Sequence, residues 1–155
     1  MTHRIRLTDA LTPGERQSGR CVMNAMPALP TSSQHAKMKT ILIVEDEPSI
    51  VTAWKSVLQV EGYLVLTASN GHQALFSANG RKPDLIITDR SMPITGGVEL
   101  FRHLKLGSEF SRIPVILTSS VHLDHSDAGV GDGFLFKPVP MDMLLAAVRR
   151  LLDAH

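Results

Sequence analysis

Five short apolar runs, separated by amphipathic or polar stretches, restrict this chain to a small set of folds. The runs are Ile41–Val44, Leu64–Ala68, Leu85–Thr88, Val115–Thr118 and Gly133–Phe136. Runs this short and this apolar are typical of strands buried on both faces, as in parallel sheets. Between them lie stretches of helical periodicity, such as Ile50, Trp54 and Leu58 at every fourth position. This alternation predicts an α/β protein, a doubly wound parallel sheet with helices on both faces.

Polar side chains lie at the ends of four of these predicted strands. They are Glu45, Asp46, Asp89, Thr118, Ser119 and Lys137. The carboxyl ends of parallel strands meet at one edge of a sheet, where ligands collect, so we expect these side chains to lie close together. Converging carboxylates repel one another unless a cation lies between them, and oxygen ligands favour Mg²⁺ over Zn²⁺. A lysine beside them suits a second anion, such as a phosphoryl group.

The stretch from Lys39 to Asp153 resembles the receiver domain of two-component response regulators, in particular the stand-alone chemotaxis type. The motifs that carry the resemblance are Ile41–Pro48, Asp89–Pro93 with Gly97, Pro114–Ser120 and Phe134–Pro138. The resemblance implies a flavodoxin-like, five-stranded parallel sheet with the strand order 2-1-3-4-5. It also implies a phosphoprotein that receives its phosphoryl group from a sensor histidine kinase or a histidine phosphotransfer protein.

The resemblance assigns a role to each polar residue at the strand ends. Asp89 is the phosphoryl acceptor, and Asp46 and Asp89 bind Mg²⁺ directly. The backbone carbonyl of Ser91 adds a further ligand, and Glu45 acts through water. Lys137 contacts the phosphoryl oxygens. The resemblance therefore implies a phosphorylation site with Mg²⁺ as its cofactor.

The resemblance implies that the side chains of Ser119 and Phe134 change position when Asp89 is phosphorylated. Ser119 contacts the phosphoryl group, and the space that it vacates lets Phe134 turn inward. Thr118 is an alternative for the switch hydroxyl, but Ser119 has the expected offsets, 30 positions after Asp89 and five after Pro114.

The segment after the switch hydroxyl departs from the family pattern. Ser119 and Lys137 are 18 positions apart, which is shorter than usual by about four residues, roughly one helical turn. We therefore expect the helix between the last two strands, the fourth in the family's order, to be short or irregular. His122 and His125 in this segment have a spacing that could bind a metal, but with no evident third ligand we interpret them as solvated. We expect the Lys137–Pro138 peptide bond to be cis.

Residues 1–38 have no periodicity of a stable element, and we expect them to be a disordered N-terminal extension before a receiver domain at 39–153. They carry five basic and two acidic residues, which fits a tethering arm, but we favour a non-native extension because Met38 immediately precedes the first strand.

The chain has one cysteine and no predicted signal or membrane segment, so we expect a cytoplasmic protein without a membrane partner,. A net charge of +1 argues against nucleic acid as a partner,.

Three functions fit these residues. The first is a single-domain response regulator that accepts a phosphoryl group on Asp89 in a phosphorelay and signals to a downstream protein, and for it we expect no output domain after Asp153. It would catalyse its own phosphorylation and dephosphorylation without being a turnover enzyme.

The second function is that of a phosphatase or hydrolase, but Ser91 stands where that chemistry needs a second acid,. The third is a pseudo-receiver that binds partners without phosphorylation; the intact acids and Lys137 argue against it, while the short helix leaves it open.

Overall fold

A parallel sheet organises the part of the chain that the computed structural model describes, residues 37–107, 109–122 and 129–155. Its strands are β1 (Thr40–Val44), β2 (Leu64–Ala68), β3 (Leu85–Asp89), β4 (Val115–Ser119) and β5 (Gly133–Phe136). The strand order is β2-β1-β3-β4-β5, which confirms the predicted doubly wound topology. Three strands are one residue longer than predicted, and the added residues are Thr40, Asp89 and Ser119.

Four helices are found in the described residues, and local sequence accounts for their limits. They are α1 (Pro48–Val60), α2 (Gly71–Gly80), α3 (Gly97–Leu106) and α4 (Met141–Asp153). Pro48 lies in the first turn of α1, where its missing N–H is not needed,. The Asn70 side chain accepts a hydrogen bond from the Gln73 N–H (2.9 Å) and so caps α2,.

Two predictions fall on parts of the chain outside this description. The short or irregular helix was predicted between β4 and β5, where residues 123–128 lie outside the described residues. The disordered extension was predicted for residues 1–38, of which only residues 37 and 38 are described.

The two faces of the sheet bury separate apolar cores. Ile41 and Ile43 of β1 belong to the core beneath α1 and α4, and Leu42 and Val44 to the core beneath α2 and α3. Trp54 is only 3% exposed, so it is a core residue. Because both faces are covered by helices, polar chemistry is left to the ends of the strands. None of the helices in the described ranges is both long and apolar enough to cross a membrane.

Ile94, in the loop between β3 and α3, has a strained backbone. Its φ is 74°, and within the described residues it is the one non-glycine residue with a positive φ. The Thr95 N–H donates to the Pro93 carbonyl (2.9 Å), which closes a tight turn around it. A β-branched residue is a genuine outlier in this region. The side chain is 84% exposed, so packing does not compensate for the strain.

Replacing Ile94 by asparagine is therefore expected to stabilise the protein. Asparagine adopts a positive φ more readily than a β-branched residue, so relief of the strain is expected to raise the free energy of unfolding by about 1 kcal/mol. Urea denaturation followed by circular dichroism measures the change. Ile94→Val keeps the branched side chain and is the matched control, for which we expect no gain in stability. A destabilised asparagine variant would show that the isoleucine side chain contributes more to the free energy of unfolding than the strain costs.

Candidate functional site

The carboxyl ends of β1 and β3 bring three acidic side chains together. Asp89 is the last residue of β3, and Glu45 and Asp46 directly follow β1, which pairs with β3. One carboxylate oxygen of each lies within 4.8 Å of the others. Glu45 and Asp89 are buried, at 2% and 7% exposure, whereas Asp46 is exposed. The predicted convergence of these three residues is therefore present in the structure.

Lys137 reaches this acidic cluster from the far side of the sheet. It follows β5, and its backbone N–H donates to the carbonyl of Ser119 (2.9 Å). Its Nζ lies 2.6 Å from Glu45 Oε2 and 3.2 Å from Asp89 Oδ1. The peptide bond between Lys137 and Pro138 is cis. Residues from two ends of the domain sequence thus form one polar cluster.

Burial and charge shift the ionisation of these groups. Burial raises the pKa of Asp89 above its ordinary value, and the charge of Lys137 only partly opposes this effect,. Burial likewise raises the pKa of Glu45, against the hydrogen bond from Lys137. Burial alone would lower the pKa of Lys137, but its hydrogen bond to Glu45 and the charges of Asp89 and Glu45 outweigh burial, so the pKa is raised. The lysine is therefore held in its cationic form.

The donor set fits a hard divalent cation. Three carboxylates face one ammonium group, so negative charge is left over when all of them are ionised. The backbone of Ser91 slightly opposes the rise in the pKa of Asp89, so it lies near this carboxylate. These oxygen donors are the ligands that Mg²⁺ prefers, and a bound cation would reverse the upward pKa shifts of the carboxyl groups.

The two candidate switch hydroxyls have different environments. Thr118 pairs with Asp89 in the sheet register, and its hydroxyl donates to the carbonyl of Thr88 (3.3 Å). The Ser119 hydroxyl is at the strand end, where it donates to the Val121 carbonyl (2.9 Å) and accepts from the Val121 N–H (3.0 Å). Thr118 is therefore bonded within the sheet, while Ser119 is bonded to the connection that leaves β4.

Aromatic rings cover β5 near this connection. Phe134 is half-buried and makes an edge contact with Phe136, with ring centroids 4.9 Å apart. The His122 ring lies 4.8 Å from the Phe136 ring. His125, the other histidine of the predicted pair, lies outside the described residues. In the described residues, the acidic and histidine side chains that could hold a metal together are Glu45, Asp46 and Asp89, and His122 is not among them.

Gly97 begins α3, and no role in the functional site was predicted for it from the sequence. Its N–H donates to the Arg90 carbonyl (3.0 Å), which holds the start of α3 against the end of β3. A Cβ at this position would overlap the backbone oxygen of Asp89 and lie 3.0 Å from Leu117 Cδ1. Only glycine permits this approach. The signal in the sequence was its place in the motif, eight positions after Asp89.

Comparisons with known proteins agree with this arrangement. Residues 41–149 match the sequence profile described as the response regulator receiver domain. The chain is 36% identical over 117 residues to the transcriptional regulatory protein KdpE of Mycobacterium tuberculosis (strain CDC 1551 / Oshkosh), covering 72% of the chain and 50% of that protein. It is 26% identical over 118 residues to the polar-differentiation response regulator DivK of Brucella anthropi, covering 74% and 96%.

A solved structure is also similar. It is the receiver domain of the sensor histidine kinase PA1611 of Pseudomonas aeruginosa PAO1, crystallised with a magnesium ion coordinated in its active-site cleft. The TM-score is 0.69 at 27% identity, covering 75% of this chain and 98% of that one. The chain spans about half the length of curated relatives such as KdpE.

Proposed function

The chain belongs to the family of response regulator receiver domains, and from this premise we propose that it is a single-domain response regulator phosphorylated on Asp89. Receiver domains are signalling phosphoacceptors in two-component systems. The observation that carries the proposal is the position of Lys137 Nζ, 3.2 Å from Asp89 in an acidic cluster. The proposed donor is the phosphohistidine of a sensor kinase or of a histidine phosphotransfer protein.

In the proposed reaction, Asp89 is the nucleophile. A carboxylate oxygen forms a bond to phosphorus as the bond between phosphorus and the donor's imidazole nitrogen breaks, and the imidazole then takes a proton. Lys137 stabilises the negative charge on the phosphoryl oxygens, so electrostatics and positioning carry the catalysis. Hydrolysis of the aspartyl phosphate returns Asp89 to its free form. The protein therefore acts as a phosphoacceptor and not as an enzyme on a separate substrate.

The proposed metal ligands are the carboxylates of Asp46 and Asp89 and the backbone carbonyl of Ser91, with Glu45 acting through water. When bound, Mg²⁺ supplies positive charge for the phosphoryl oxygens. Glu45 is already engaged, since its Oε2 lies 2.6 Å from Lys137 Nζ and its Oε1 accepts from the Glu47 N–H (3.2 Å). The exposed Asp46 has neither of these bonds to satisfy, which supports its assignment as the direct ligand.

We further propose that Ser119 and Phe134 carry the signal. The Ser119 hydroxyl is bonded to Val121 in the unphosphorylated form, so a bond to the phosphoryl group would free the start of the β4–β5 connection. Phe134 can then turn into the space that Ser119 leaves. This change would bias a two-state protein-binding surface near β5.

A stand-alone receiver in the cytoplasm is the form that we propose, with a downstream protein and not nucleic acid as its target. DivK supports this form, because the alignment covers 96% of that response regulator. KdpE is named a transcriptional regulatory protein, and half of it lies outside the match. For this reason we infer only the function of a receiver domain from such relatives.

Intact-mass spectrometry after incubation with acetyl phosphate and Mg²⁺ tests the proposal. We expect the mass of one phosphoryl group to be added, and none to be added when EDTA removes the metal. Release of inorganic phosphate in multiple turnovers without an accumulated phosphoprotein would indicate a phosphatase. If the mass does not change and no phosphate is released, the protein is a pseudo-receiver.

Mg²⁺ affinity is expected to depend more on Asp46 than on Glu45. Asp46→Asn removes a proposed direct ligand, and loss of a ligating group or its support is expected to weaken binding by about 10- to 100-fold. Glu45→Gln is the matched control, with a smaller effect because Glu45 is proposed to act through water. Isothermal titration with MgCl₂ measures both. A larger loss for Glu45→Gln would exchange the two roles.

A further inference from the structure

Two aspartates at the amino-terminal edge of the sheet make the same pair of hydrogen bonds. Asp84 precedes β3, and its N–H donates to the Thr40 carbonyl while its carboxylate accepts from the Thr40 N–H, both at 2.7 Å. Asp132 precedes β5, and its N–H and carboxylate bond the carbonyl and N–H of Val115 in the same way, both at 2.8 Å. We call each arrangement a carboxylate clasp. Each clasp extends a strand pair by one residue.

A lysine completes each clasp. Lys39 Nζ lies 3.6 Å from Asp84, and Lys105 Nζ lies 3.1 Å from Asp132. Lys105 also donates to the carbonyls of Ser111 and Ile113, both at 3.1 Å. Because the α3–β4 loop holds this lysine in place, Asp132 is bound to a fixed cation and to β4 at the same time.

Each clasp lies five positions before a residue of the functional site. Asp84 is five positions before Asp89, and Asp132 is five positions before Lys137. A strand of this length crosses the sheet, so the register at one edge of the sheet and the residue that reaches the other edge are linked. A slip of one residue moves every side chain of a strand to the opposite face.

β5 has fewer neighbours than β3 to hold its register. β3 pairs with strands on both sides, whereas in the described residues β5 pairs with β4 alone. Its three side chains, Phe134, Leu135 and Phe136, are all apolar, so alternation of polar and apolar residues does not select one register,. The glycines that flank Asp132 do not restrict the backbone either, and Gly131 has a φ of +88°,.

We propose that Asp132, held by Lys105, is a positioning residue that sets the register of β5 and thereby holds Lys137 beside Asp89. Neither residue touches the acidic cluster, so both act through the strand. The role in phosphorylation rests on the proposed function, whereas the role in strand register does not.

The test compares initial rates of phosphorylation by acetyl phosphate at saturating Mg²⁺, at a temperature where circular dichroism shows each variant to be folded. Asp132→Ala is expected to slow the reaction about tenfold or more, towards the rate of Lys137→Ala. In a Lys137→Ala background, Asp132→Ala should have no further effect, because the two residues act through the same group. Asp84→Ala is the matched control, and its rate is expected to stay within about twofold of the wild type, since β3 is held on both sides.

Lys105→Met is the milder second variant in case Asp132→Ala does not fold, and a smaller slowing in the same direction is expected. A wild-type rate in both Asp132→Ala and Lys105→Met would overturn the proposal. So would a slowing of equal size in the Lys137→Ala background, because that result would indicate general destabilisation.

Amide hydrogen exchange gives a readout that does not need phosphorylation. In Asp132→Ala, the amides of residues 133–136 should lose protection while those of residues 85–89 keep theirs. Unchanged protection of residues 133–136 would overturn the register role. If the wild type accepts no phosphoryl group, the proposed function fails, and the exchange result still decides whether Asp132 sets the register of β5.

Discussion

Replacement of Asp89 by asparagine is expected to abolish phosphorylation by acetyl phosphate. The amide is nearly isosteric with the carboxylate but cannot act as the attacking oxygen nucleophile. Other carboxylates do not substitute for it. Glu45 is buried and bonded to Lys137, and Asp46 is exposed at the rim of the cluster. Intact-mass spectrometry should therefore show no added phosphoryl group in the variant.

The matched control is Asp142→Asn, which removes a carboxylate from the first turn of α4. This variant should be phosphorylated to the wild-type extent. Burial raises the pKa of Asp89, so Asp89→Asn also removes a charge that is costly to bury, and we expect it to fold at least as stably as the wild type,. A phosphorylated Asp89→Asn protein, with the group mapped to another residue, would refute the assignment of the acceptor.

Replacement of Gly97 by alanine is expected to cause a large loss of stability. The added Cβ overlaps the backbone oxygen of Asp89, and Leu117 is tightly packed on another side. A backbone atom in a central strand cannot move aside as a flexible side chain can. We expect a loss of about 2–3 kcal/mol in the free energy of unfolding, at the upper end of overpacking. Urea denaturation followed by tryptophan fluorescence of the buried Trp54 measures it.

The phosphorylation rate of Gly97→Ala should fall as well, because relief of the overlap must displace either α3 or the end of β3 that carries Asp89. Gly80→Ala is the matched control, since a Cβ there would meet nothing within 4 Å. That variant should be unchanged or more stable, by up to about 1 kcal/mol. Equal effects of the two substitutions would show that the close approach at Gly97 is relieved at little cost.

The sequence by itself determined the sheet and the polar residues at its edge. Short apolar runs, Pro48 and the cap at Asn70 are local signals, and their effects act within a few residues, so strands and helices could be predicted closely,. The placement of Asp89 at a strand end followed from the run before it. Because parallel strands end at a common edge, the convergence of the acids could also be predicted.

Tertiary structure alone decided how those groups interact. The contact of Lys137 with Glu45 joins residues 92 positions apart, and the raised pKa values follow from burial that no local pattern records. The overlap at Gly97 depends on how closely a helix approaches a strand. Asp84 and Asp132 look like ordinary loop residues in the sequence, because a clasp exists only once two strands are paired. Such effects depend on distances between elements remote in sequence, and those distances are set only when the whole sheet has formed.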